Sequence, residues 1–217
     1  MTLEIEINSR AFVLHCSGAV YWVEKRMLLI SDVHLGKISH FRKHGSALPG
    51  GAINKNFLKL DSAVDYFNPE SICFLGDLFH STINNEFQLF SDWVTRTQLP
   101  IVLVAGNHDI INPQKYHDLH IKVVSEWTVD GFLLTHHPEE REGLFTFSGH
   151  IHPAVLLAGK GRQFLKLPCF FRTEHQMIFP AFGEFTGTYV MEPCENDIIY
   201  VVTKEDVLMI ATKERTC

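Results

Sequence analysis

The chain of 217 residues is long enough for one sizeable core, and its 46% apolar and 20% charged residues are those of a folded globular protein. Its formal charge of −6 speaks against a broad basic surface that grips nucleic acid, while leaving nucleic acid open as a substrate. No apolar run approaches the ~20 residues that span a bilayer, and "MTLEIEINSR" has neither the basic nor the apolar region of a secretion signal. Five scattered cysteines (Cys16, Cys73, Cys169, Cys194, Cys217) without a CxxC suit reduced thiols, so a soluble cytoplasmic protein with no membrane contact is expected.

In chain order, "TLEIEI", "FVLH" and "AVYWV" read as strands, and "RMLLIS" as a strand buried on both faces. "HGSALPGG" is a loop. From Ala52 the spacing changes: Ile53, Phe57, Leu60, Val64 and Phe67 form one helical stripe that Pro69 closes. "SICFLGD" is the next buried strand, Phe87, Phe90 and Val94 mark a second helix, and "PIVLVAGNHD" holds a third strand. This alternation predicts an α/β fold with a mostly parallel sheet. The second half turns to hairpins: Asp130-Gly131 between apolar runs, a turn at Gly159-Lys160-Gly161, and "DIIYVVT" with "DVLMIA" near the end. "AGKGR" lacks the GxxxxGK[ST] spacing of a phosphate-binding loop. No repeat or linker interrupts residues 1–217, which predicts a single domain.

The buried strands end in one kind of residue. Asp32-Val33-His34 follows the first, Gly76-Asp77 the second and Gly106-Asn107-His108-Asp109 the third. Thr135-His136-His137 follows "FLL", and Gly149-His150-Ile151-His152 follows "LFTFS". Parallel strands present their C-terminal ends on one edge, so these residues are expected to meet. Imidazoles mixed with carboxylate and amide oxygens suit Mn, Fe or Zn better than Ca. The glycines before Asp77, Asn107 and His150 are read as sharp backbone turns that aim the next side chain into the crevice.

The series "SDVHLGK", "GDLFH", "GNHD", "THH" and "GHIHP" resembles the calcineurin-like metallophosphoesterases. "LGKISHFRKHGSALPGG" and "FPAFGEFTGT" look like the bacterial ligase-associated, PdeM-type branch, which tends to have Gly-Gly where this chain has Gly187-Thr188. The resemblance implies a β-sandwich of two mixed sheets flanked by helices, with a dinuclear metal site at the strand C-terminal ends. It assigns one ion to Asp32, His34, Asp77 and His152 and the other to Asp77, Asn107, His136 and His150, with Asp77 as the bridge. His137 replaces His136 if the preceding strand runs one residue longer. The ions implied are two divalent cations, Mn²⁺ first, with Fe, Zn and Ni as the other choices, and a metal-activated water is the nucleophile. His108 matches the family's non-ligand histidine, a proton donor or charge stabiliser at the phosphoryl group, and Asp109 would orient its ring.

Lys37, Arg42 and His80 are expected substrate contacts. The activity implied is phosphodiester hydrolysis, in a DNA-repair nuclease acting on DNA beside a DNA ligase or another nuclease. A phosphatase or phosphodiesterase for a small nucleotide, or a non-catalytic scaffold on the same fold, are the alternatives.

Overall fold

A computed structural model describes residues 1–37, 52–80, 82–159, 161, 163–184 and 186–210. The first sheet runs β1 (Thr2–Ile7), β2 (Arg10–His15), β3 (Val20–Trp22), β4 (Met27–Ile30), β5 (Ser71–Leu75), β6 (Ile101–Val104) and β7 (Lys122–Val124), side by side in chain order. Pairing is antiparallel from β1 to β4 and parallel from β4 to β7. Among the described residues, three helices lie between its parallel strands in sequence: α1 (Ala52–Phe67), α2 (Asn85–Thr97) and α3 (Pro113–His117).

The second sheet is mixed and its order is not sequential. It uses β8 (Trp127–Val129), β9 (Phe132–Leu134), β10 (Phe145–Ser148), β11 (Pro153–Ala158), β12 (Phe164–Arg172), β13 (Gln176–Ile178), β14 (Tyr189–Val190), β15 (Ile198–Val202) and β16 (Val207–Ile210). The path is β14-β11-β12-β13-β10-β9-β8, with β15 and then β16 added beside β12. The hairpin expected at Asp130-Gly131 is present, and both residues have positive φ (49° and 82°), as a tight two-residue β-hairpin turn requires.

Alternation along β4 explains the layers. Met27 and Leu29 face the core between the sheets, while Leu28 and Ile30 face the helices. Aromatic rings close the inter-sheet core. Phe12 of the first sheet lies 5.0 Å from Phe147 and 5.3 Å from Phe132 of the second, centroid to centroid. Such pairs contribute about 0.5–1.5 kcal/mol each beyond the area they bury. On the far face of the first sheet, Leu60, Ala63, Phe90, Trp93 and Tyr116 of the three helices cover Leu28, Ile30, Phe74 and Leu103.

The sandwich of two mixed sheets is as expected, but among the described residues the helices flank only the first sheet. Among the described residues the outer face of the second is covered by its own cluster, including Val155, Cys169, Phe171 and Ile199. Among the described residues no helix is long and apolar enough to cross a membrane. Cys16, Cys73 and Cys169 are free thiols. Cys194 is disulfide-bonded, against the expectation of reduced cysteines throughout, since spacing in sequence does not reveal which thiols meet in space.

Candidate metal centre

Strands β4, β5 and β6 are parallel and in register, Ile30 opposite Phe74 and Leu75 opposite Val104, so their C-terminal ends share one edge. Strands β9 and β10 are parallel to each other, with Leu134 opposite Phe147. The first sheet delivers Asp32, His34, Asp77 and Asn107 to the crevice, and the second delivers His136, His150 and His152. Five of these seven, Asp32, His34, Asp77, His150 and His152, have left-handed backbones with φ between 49° and 68°. Asp and His tolerate that region better than most residues, and its use by non-glycine residues concentrates at functional sites.

Backbone bonds hold the two leading loops together. Asp32 N–H donates to the Gly76 carbonyl at 3.2 Å, and His34 N–H to the Asp77 carbonyl at 2.9 Å. Asp32 Oδ2 accepts hydrogen bonds from the Ser31 hydroxyl and, at 3.0 Å, from the His150 N–H. Its Oδ1 is buried and takes no hydrogen bond, with His152 Nε2 3.2 Å away and His34 Nε2 3.9 Å away. Asp77 Oδ1 accepts from His108 N–H at 2.9 Å.

Two imidazoles have their outer nitrogen fixed by a carbonyl. His136 Nδ1 donates to Leu75 O at 3.0 Å and His152 Nδ1 to Gly187 O at 3.0 Å, which turns each Nε2 towards the crevice. His136 Nε2 then meets only other acceptors and nitrogens: Asn107 Oδ1 at 3.1 Å, Asp77 Oδ1 at 3.4 Å and His150 Nδ1 at 3.2 Å. His34 Nε2 faces His152 Nε2 at 3.3 Å and Asp77 Oδ2 at 3.8 Å. His137, which is exposed, also lies within ligand range of His136 and His150.

Charge and burial act together here. Burial pushes the His34 imidazole down to about 3, against the pull of Asp32, so its nitrogens stay neutral. Burial works to raise the Asp32 carboxyl, but the adjacent His152 and the Ser31 hydroxyl more than offset it and hold it below its ordinary value. His152 is raised for the reciprocal reason, Asp32 outweighing its burial.

Two of the three glycines act differently from their expected role. Gly76 does turn, at φ 84°. Gly106 and Gly149 have no positive φ; what they supply is room, because a Cβ on Gly106 would overlap Asp77 Oδ1 and one on Gly149 would overlap Ser31 Oγ and Asp32 Oδ2.

Around this centre, His108 lies 5.7 Å from His34 and stacks on His80 at 5.0 Å, ring centroid to ring centroid, so both line the crevice. Asp109 does not hold the His108 ring. Its Oδ1 accepts from Phe79 N–H at 3.0 Å and its Oδ2 from Gly106 N–H at 2.9 Å, because the carboxylate turns under the loop and braces its backbone. Burial pushes that carboxyl up to about 6, with these two amides opposing. Lys37 is half-buried at the entrance, where burial lowers its pKa while Asp77 and Asp32 oppose the shift. Arg42 lies outside the described residues.

Asp32 Oδ1 is buried without a hydrogen bond, and a cation between the facing imidazole nitrogens would be held by that oxygen and by their lone pairs. Ligands at about 2.1 Å from one ion stand about 3.0–3.4 Å apart, which the 3.2–3.3 Å nitrogen pairs match. The donor set therefore fits divalent metal ions of the borderline class.

The sequence model of calcineurin-like phosphoesterases matches residues 25–162, a span that includes every residue of this centre. The chain belongs to that family. Among solved structures, nuclease MPE of Pseudomonas putida is 30% identical, with 97% of this chain and 100% of that one covered at a TM-score of 0.81. The phosphoesterase YfcE of E. coli is 15% identical over 85% of this chain and 98% of its own, at a TM-score of 0.45, too distant to bear on the site. Among curated protein sequences none matches. As a calcineurin-like phosphoesterase, the chain is a metallophosphoesterase, and its clustered His and Asp donors are candidate metal-binding groups.

Proposed function

We propose that this calcineurin-like phosphoesterase is a two-cation phosphodiesterase with nuclease activity on DNA, serving DNA repair beside a ligase or another nuclease. The observation that carries the metal reading is the pair of facing nitrogen contacts, His34–His152 and His136–His150, on either side of Asp32 and Asp77. The nuclease reading draws on the likeness to the Pseudomonas putida nuclease along nearly the whole of both chains. In this reading Asp32, His34, Asp77 and His152 hold one ion, and Asp77, Asn107, His136 and His150 the other, with manganese the first choice. Bound, the two ions supply Lewis-acid activation of water and of the phosphoryl oxygens.

The chain's own residues do the rest. His108 stands at the rim, one ring away from His34, where its imidazole donates a proton to the leaving oxygen or a hydrogen bond to the phosphoryl group. His80 stacks on it and limits its rotation. Lys37 presents a cation to incoming phosphate. Asp109 keeps the His108 loop in place through Gly106 and Phe79.

The test is hydrolysis of bis-p-nitrophenyl phosphate and of labelled single-stranded and duplex DNA after loading with Mn²⁺. Wild-type protein is expected to cut all three kinds of substrate or the diester with one form of DNA. His108→Ala is expected to keep its metal and lose about 100-fold or more in turnover. A mutant with unchanged turnover removes His108 from the mechanism. The net charge of −6 favours a second reading, a small nucleotide or other small phosphoester as substrate. Cleavage of the artificial diester without cleavage of any DNA would select it, and a metal-free protein without turnover would select a scaffold.

A further inference from the structure

Helix α1 carries one residue that its amphipathic pattern does not explain. Leu60 and Ala63 are fully buried on its inner face, and Asn56 precedes them by four and seven residues on that same face. It is 2% exposed. A primary amide in a core position is costly unless both its ends are hydrogen-bonded. Asn56 bonds two backbone groups of other segments: Nδ2 donates to the Val33 carbonyl over a long 3.4 Å, and Oδ1 accepts the Glu184 N–H at 3.0 Å.

Val33 is the middle of the arch that turns Asp32 and His34 into the crevice, flanked by φ values of 54° and 50°. Most of the arch backbone is held by backbone. Asp32 and His34 donate to Gly76 and Asp77, while the Ser31 and Asp32 carbonyls accept from Phe182 and Gly183 N–H at 3.0 Å each. The Val33 carbonyl remains, and Asn56 takes it. Gly183 presses so close beneath that a Cβ there would overlap the Val33 carbonyl oxygen. Through one amide, Asn56 thus fastens α1 to the arch and to the Gly183–Glu184 turn together.

We propose that Asn56 is a positioning residue for the metal centre: it holds the Asp32–Val33–His34 arch in its left-handed form so that both side chains leave towards one cation. Both its hydrogen bonds go to backbone groups, and the inference rests on the metal reading above.

The experiment is calorimetric titration with Mn²⁺ of wild type, Asn56→Leu (similar shape, no hydrogen bonds) and Asn56→Asp (acceptor kept, donor replaced by an acceptor facing Val33). Asn54→Leu, an exposed position of the same helix, is the control. All are compared where their circular dichroism matches wild type. Both Asn56 variants are expected to bind Mn²⁺ about tenfold or more weakly, the range seen when a group supporting a ligand is removed, and Asn54→Leu to bind like wild type. Wild-type affinity in a folded Asn56 variant, with only its melting temperature lowered, overturns the inference. Asn56→Asp decides the matter if Asn56→Leu does not fold. Wild-type protein that binds no cation overturns the metal reading first and this inference with it.

Discussion

At Gly149 the backbone of one sheet passes so close to the side chains of the other that no Cβ fits beside Ser31 and Asp32. Gly149→Ala is expected to push Asp32 off its position, to cost about 1–3 kcal/mol of stability, and to weaken cation binding. Urea unfolding and Mn²⁺ titration check the two effects, and unchanged values in both would show that the arch yields freely. The ligand-type residues themselves are legible in the sequence because each stands at the end of an apolar run: Asp32 after "LLI", Asp77 after "CFL", His136 after "FLL". Residues that act through backbone are not. Asp109 reads as a partner for its neighbour His108 yet bonds two amides, one of them in another loop, and no spacing rule reports that. Asn56 leaves a trace only as a polar residue on the apolar stripe of α1, a signal that identifies burial without naming the partners.

Among elements, β4, β5 and β6 are readable because burial on both faces leaves an uninterrupted apolar run, and α1 because its stripe ends at Asn68-Pro69. Strands β7, β13 and β14 have two or three residues each, too short to show a period, and the pairing of β12 with β15 joins segments that no local pattern connects. Contacts between elements are hidden for the same reason. Asp61 of α1 accepts from the Trp93 indole N–H at 2.8 Å and from Arg96 at 2.8 Å, both of α2. Asp61→Ala would leave the largely buried indole N–H without its acceptor, while the exposed Arg96 pair contributes little. The expected loss is about 1–3 kcal/mol in denaturant unfolding with turnover on the artificial diester at the wild-type level. A fall in turnover of the folded variant would tie the helix pair to the metal edge.

For the whole molecule, the metal centre is where the two sheets meet at one edge, whereas the aromatic core around Phe12, Phe132 and Phe147 joins them in the interior. Without a cation, that edge brings together Asp32, Asp77 and imidazole lone pairs from both sheets. Cation binding should therefore stabilise the sandwich as a unit. At a free Mn²⁺ concentration one hundred times the dissociation constant, the gain is about 2.7 kcal/mol for one site. For a chain of this size that raises the melting temperature by about 5–11 °C. Calorimetry in EDTA and in Mn²⁺ measures it, and an unmoved melting temperature at saturating Mn²⁺ would show that the donors do not form a cation site. Asp77→Ala separates a shared centre from two independent ones. If Asp77 bridges both ions, the variant loses nearly the whole stabilisation; if it serves one, a second cation still binds through Asp32, His34 and His152 and a substantial part of the shift survives.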